Sequence, residues 1–288
     1  MTTTTLTRAD AAEPAVRATK AATAPQRAGS RGRVLRVWGP PLAVLAVIVG
    51  AWYLVSDVVL APTQRFLLPA PDAVIRNGFL DPSIMSQLLG SLGRTAFVTL
   101  IGLAIAAALG ILWAVLMSQA RWVERSLFPY AVVLQCVPIL ALVPLIGFWF
   151  GFEYPARIIV CVMIAVFPMV SNTLFGLQAA DRGQRELFRL QHASRWTTLW
   201  KLQFPGALPA IFAGLRISAG LSVVGAVVGD FFFRQGDPGL GALISNFQAS
   251  VEAEPLFATI MLASLFGVAI FLLFSWIGRL AVGKWHEF

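Results

Sequence analysis

Few residues of this chain have the types and spacing that chemistry needs. Cys136 and Cys161 both lie within apolar runs, where a thiol behaves as a small hydrophobe, and two such cysteines make no disulfide framework. His192 and His286 are far apart and neither stands in a metal-ligand spacing, so no metal site is expected. There is no Gly-x-Ser-x-Gly, no His-Glu-x-x-His and no histidine inside an apolar run, so no catalytic residue is assigned and an enzyme is not expected. A Gly-rich loop ending in Gly-Lys-Ser/Thr is also missing. ATP hydrolysis in the P-loop manner would need another polypeptide, and no cofactor is expected in this chain. Two polar side chains stand out instead. Asp230 ends an apolar run, where a charge is costly against lipid and must face protein, water or nearby Arg234; structural pairing and a place on a solute path are equal readings. Gln135 shares its run with Pro138 and Pro144, tolerable in a membrane helix only where neighbours or water satisfy the freed carbonyls. Gln135 and Asp230 are the candidates for a translocation path.

The most patterned polar stretch is RGQRELFRLQHASRWTTLWKLQFPGALPAIFAGLRIS, residues 182–218. Glu186 and Arg189 have a favourable i, i+3 spacing, and Leu187 and Leu190 fall on one helix face. Ser194 can cap a second helix in which Trp196, Leu199 and Trp200 form an aromatic, apolar face suited to a membrane interface. Pro205 and Pro209 are expected to break the chain after it. By themselves Glu186 and Arg189 read as a solvated surface pair. His192 reads as a cap or turn residue, with proton sensing as a second reading because its ordinary pKa is near neutrality.

The elements that must position these residues follow from composition. Hydrophobic residues are 58% of the 288 and charged residues only 12%, which excludes an ordinary soluble domain. Apolar runs of about 20 residues recur, enough to cross the hydrocarbon as helix and unlike the alternating segments of a barrel. Six spans are read at 41–61, 96–117, 127–150, 158–177, 210–228 and 256–280, so the fold class is all-α and polytopic. The third, with its prolines, is the one expected to break. Basic residues cluster before the first span, at Arg121 and Arg125, from Arg182 to Lys201, and at Arg279 and Lys284. The opposite loops hold Arg65, Arg76, Arg94, Arg157 and Arg234. Both termini are therefore expected in the cytoplasm. This topology and the anionic lipid bilayer explain the net charge of +8, so nucleic acid is not an expected partner. Residues 1–35, rich in Ala, Thr, Pro and Arg, are expected to be a disordered cytoplasmic tail. A transit peptide is the rival reading, but Pro14 and Pro25 interrupt the amphipathic helix it needs. The transmembrane domain then runs over 36–285, with its cytoplasmic loop at 180–208.

Here the chain resembles the permeases of binding-protein-dependent ABC importers, in the branch that carries nitrate, sulfonates, taurine and thiamine-precursor pyrimidines. Glu186, Ala193, Ser194, Arg195, Trp196, Pro205, Ala207, Leu208 and Pro209 match that branch's signature loop. LLPAP at 67–71, SLGR at 91–94, VPILALVPLIGFWFGF at 137–152, FPMVSNTLFGL at 167–177 and VVGDFFFRQGDPGLGALI at 227–244 are similar to its other motifs. Leu187 and Phe188 replace two alanines of the signature, His192 its glycine, and Asp230 a usual glutamate. The resemblance implies a type I importer permease in a bacterial plasma (inner) membrane. It implies a second permease chain, as a homodimer, two copies of an ABC ATPase subunit that bind the ATP, and an extracytoplasmic solute-binding protein. Glu186, Leu187, Phe188, Arg189, Leu190, His192 and Ala193 would then form the coupling helix, with Phe188 the aromatic anchor in a groove of the ATPase. A sulfonate, taurine-like or nitrate anion is the first expectation for the solute, a vitamin precursor the next. An ATP-independent carrier or channel would show inverted repeats and broken helices in matching halves. A membrane assembly scaffold would lack the Pro-bounded helix.

Overall fold

A backbone in hydrocarbon must satisfy its own N–H and C=O groups, so the apolar runs become helices. The computed structural model describes residues 30–233 and 236–283, and among the described residues every regular element is helical. Two compact units divide the chain, Met1–Gly50 and Ala51–Phe288. Helix α1 (Ser30–Leu54) supplies the described part of the first unit. It passes through Pro40 and Pro41, and Leu42, Val44, Leu45, Val47 and Ile48 are exposed along it, the surface a lipid-facing span requires. The tail expected at 1–35 lies outside the described residues as far as residue 29, and the helix has already begun at Ser30.

In the second unit a short helix, α2 (Pro71–Val74), precedes α3 (Pro82–Ser118), which starts well before the apolar run does. The reason is a capped start: the Asp81 carboxylate accepts the N–H groups of Ser83 and Ile84, and Pro82 sits where a missing N–H costs nothing. The third expected span is two helices, α4 (Arg121–Cys136) and α5 (Ile139–Phe150), bent by 95°. Pro138 has no N–H to continue the ladder and holds Val137 extended, at φ −65° and ψ 129°. Then follow α6 (Tyr154–Gln178), α7 (Arg182–Leu190), α8 (Arg195–Thr198), α9 (Phe204–Phe232), α10 (Leu240–Ser250) and α11 (Ala253–Val282). Among the described residues, five helices are long and apolar enough to cross a membrane, six if the bent pair is one span.

The break expected at Pro205 and Pro209 does not occur, and the helical path runs from Arg195 to Phe232. A π turn, Leu199–Gln203, widens the helix just before Pro205, with the Phe204 N–H reaching five residues back to the Leu199 carbonyl. This turn absorbs a ring that an unbroken α ladder would reject.

Helices α6 and α9 form the centre, with α3 and α11 against them. Ala106, Ala114, Met169, Val170, Leu177 and Ala207 pack into one buried cluster from α3, α6 and α9. Small residues let the backbones meet: a Cβ on Gly225 would lie 2.8 Å from the Cα of Cys161. That close approach, rather than exclusion of water, is what holds helices together in lipid.

Candidate functional site

Helix α7 is built to keep one orientation. The Asp181 carboxylate accepts the Gln184 N–H at its start. At its end His192 takes a left-handed conformation, φ 50°, while the His192 N–H donates to the Arg189 carbonyl and the Ala193 N–H to that of Phe188. This is a Schellman closure, whose left-handed residue is usually glycine. The glycine that the signature carries at this position thus has a backbone reason, and histidine is among the side chains that tolerate the conformation. The link back to α6 was not read from the sequence. Arg185 donates to the last carbonyls of α6, Leu177 at 3.2 Å and Gln178 at 2.6 Å, placing a cation at a helix C-terminus.

Leu187 and Leu190 are 54% and 78% exposed, although α7 is held firmly at both ends. Phe188 is only half-exposed, so part of its ring surface is already covered by its own chain. The apolar surface α7 offers most openly is Leu187 and Leu190, with Phe188, the expected anchor, beside them and partly covered. Glu186 and Arg189 are exposed and, among the described residues, no ion pair joins them, so their spacing is not used for pairing. Ser194 caps α8 by accepting the Thr197 N–H. The expected aromatic face divides: Trp196 and Trp200 are exposed, whereas Leu199 is buried in the central cluster.

At the far end of α9, Asp230 is buried against protein. Arg234 lies outside the described residues. The carboxylate pairs with Arg157 of α6 at 2.9 Å, with both side chains almost fully buried. It also accepts the Gly239 N–H at 3.2 Å and the Ala242 N–H at 2.8 Å, and Thr95 of α3 accepts that of Leu240. A helix start leaves its first N–H groups unpaired, and here α9 and α3 satisfy those of α10 from outside. Ser91 and Arg94 donate to the Pro238 carbonyl and Arg157 to those of Asp237 and Phe233. Gly239 permits this closeness, since a Cβ there would meet the Asp230 carboxylate at 2.6 Å. The SLGR and GDPGLG segments, distant in sequence, are thus two sides of one clasp. Asp230 is buried within it. Gln135 is exposed and lines a cleft of about 250 Å³ beside the α4–α5 bend, with Leu134, Met163, Phe167 and Leu221. The two path candidates are not brought together.

A bent span, a polar helix between two central spans and a clasp at their other end are those of a multi-pass membrane protein. The chain belongs to the family of inner-membrane components of binding-protein-dependent transport systems, whose pattern it matches over residues 106–282. It is therefore an ABC transport permease. It is 34% identical over 206 residues to the formylaminopyrimidine transport permease protein ThiX of Halalkalibacterium halodurans, covering 71% of this chain and 80% of that one. It is 31% identical over 236 residues to the putative aliphatic sulfonates transport permease protein SsuC of Escherichia coli, covering 81% and 86%. Among solved structures, an amino acid ABC transporter crystallised with histidines matches with a TM-score of 0.53 at 19% identity, over 70% of this chain and 95% of that one. This likeness is one of fold alone.

Proposed function

We propose that this chain forms the membrane path of an ATP-driven importer for a small solute and takes its energy from a separate ATPase that docks on α7. The observation that carries the reading is an exposed Leu187–Leu190 face on a helix tied at both ends to the central pair. Arg185 joins α7 to α6, and α8 continues through the π turn into α9. Displacement of α7 by a closing ATPase would reach both helices without passing through a flexible loop. Binding energy from ATP could then bias an inward-open against an outward-open arrangement. The distribution of Lys and Arg supports an orientation with α7 and both termini in the cytoplasm. A second copy of this chain would complete the path, and an extracytoplasmic binding protein would deliver the solute. A sulfonate, taurine-like or nitrate anion remains our first choice of solute and a vitamin precursor the second, since relatives of both kinds are similar to this chain.

Reconstitution into vesicles tests the reading. Uptake and ATP hydrolysis are expected only when a nucleotide-binding subunit and a solute-binding protein are added to the chain. ATP-independent uptake by the chain alone, at the full rate, would establish a carrier or channel instead.

A further inference from the structure

Arg216 is a charged residue in the middle of α9, within a span, and its side chain is exposed. A guanidinium facing lipid is costly, so an intramembrane arginine calls for a partner. Among the described residues no acid pairs with it; its guanidinium lies 5.4 Å from the centre of the Phe271 ring on α11. Arg279, in the last turn of α11, likewise has no acidic partner among the described residues. Both arginines line one cleft of about 370 Å³ between α9 and α11, with Ser275. Phe271 lines a second, apolar cleft of about 510 Å³ that runs from there toward the other end of the same helix pair, along Val224, Val228, Ile260 and Val268.

The two clefts make a bipartite surface: at one end two cations with no acidic partner among the described residues, and an aliphatic channel leading away from them. We infer that this surface holds one anionic phospholipid, its phosphate between Arg216 and Arg279 and an acyl chain along the apolar cleft. Charge complementarity decides the occupant. A zwitterionic lipid brings its own cation against the two arginines, whereas phosphatidylglycerol leaves its phosphate uncompensated. Guanidinium groups suit the phosphate because their donors form a planar fork. Trp276, exposed one residue beyond Ser275, has the amphipathic ring that favours the headgroup level. The orientation proposed above decides only that the inner leaflet would supply the lipid. Binding itself does not depend on it.

Native mass spectrometry of the purified full chain in detergent, after exchange into mixtures of phosphatidylglycerol and phosphatidylcholine, reads the site directly. Phosphatidylglycerol is expected to be retained about tenfold over phosphatidylcholine, a difference of roughly 1.4 kcal/mol. Arg216→Gln and Arg279→Gln should each remove most of that preference, and Arg216→Lys should keep much of it. Val268→Phe, which fills the apolar cleft, should lower retention of both lipids and leave the preference intact. Arg279→Gln, near a helix end, serves if Arg216→Gln does not fold. Equal retention of the two lipids by the unaltered chain, or an undiminished preference in Arg279→Gln, would overturn the inference. So would displacement of the lipid by millimolar ethanesulfonate, which would make the arginines a site for a free oxoanion.

Discussion

Asp230→Asn removes the charge from the clasp and keeps nearly its shape. Arg157 then loses a buried charge partner, and breaking a buried pair in this way costs about 3–5 kcal/mol. The lower end applies here. Arg157 keeps the carbonyls of Asp237 at 3.0 Å and Phe233 at 3.3 Å, and the asparagine keeps one oxygen for an N–H of α10. A loss of about 3 kcal/mol is roughly a 150-fold shift in the folding equilibrium. For a chain of this size that lowers the melting temperature by about 6–12 °C. Heating the detergent-solubilised protein and measuring the monodisperse fraction by size exclusion gives the shift. Combining Asp230→Asn with Arg157→Gln should cost less than the two single losses added, because both changes remove the same pair. If Asp230→Asn melts like the unaltered protein yet abolishes uptake, the carboxylate acts on the solute path and the structural reading of the clasp is refuted.

Three further outcomes follow from local geometry. His192→Gly should relieve the left-handed strain that closes α7, worth about 1 kcal/mol, and slow amide exchange in α7 roughly fivefold; faster exchange would contradict the Schellman closure. Single cysteines at Gly183 and Asp237, in a chain with Cys136→Ser, should respectively resist and accept an impermeant thiol reagent in intact cells, and the reverse pattern would invert the orientation. Asp81 is held below the usual carboxylate range by the Ser83 hydroxyl and by the N–H groups of Ser83 and Ile84. Its contribution is therefore fully present above the unfolded carboxylate pKa and is lost as pH falls through the lowered folded value. Melting curves between pH 6 and pH 3, roughly the window set by that direction, should be flatter for Asp81→Asn than for the unaltered chain; identical slopes would deny Asp81 a capping role.

The spans were legible because each apolar run alone must form a helix in lipid. The bend was legible because Pro138 cannot continue a ladder. Pro205 carried the same local signal and misled, since the π turn that accommodates it depends on Leu199 reaching the central core. Arg157 reads as a loop residue because nothing beside it in sequence reveals Asp230, which meets it only when α6 packs on α9. Helix α10 was missed for a related reason: its first N–H groups are capped by Asp230 and Thr95 from other helices, not by its own Gly239. Arg216 was legible as a lone charge within the 210–228 run, a signal that the count of basic loop residues passed over. In the coupling segment, side-chain spacing placed Leu187 and Leu190 on one face. It could not show that Phe188 would be partly covered by its own chain.

Docking of an ATPase on α7 is tested most directly by cross-linking at its most exposed apolar residue. In a chain with Cys136→Ser, Leu190→Cys should form a disulfide or short bifunctional cross-link with a cysteine in the groove of the co-purified ATPase subunit. The yield should change with nucleotide, and Leu187→Ala should lower the amount of ATPase that co-purifies by about tenfold, the effect of a buried apolar anchor worth roughly 1.4 kcal/mol. A complex that imports its solute at the normal rate, gives no cross-link from residue 190 under any nucleotide and binds its ATPase undiminished after Leu187→Ala would contradict coupling through this helix.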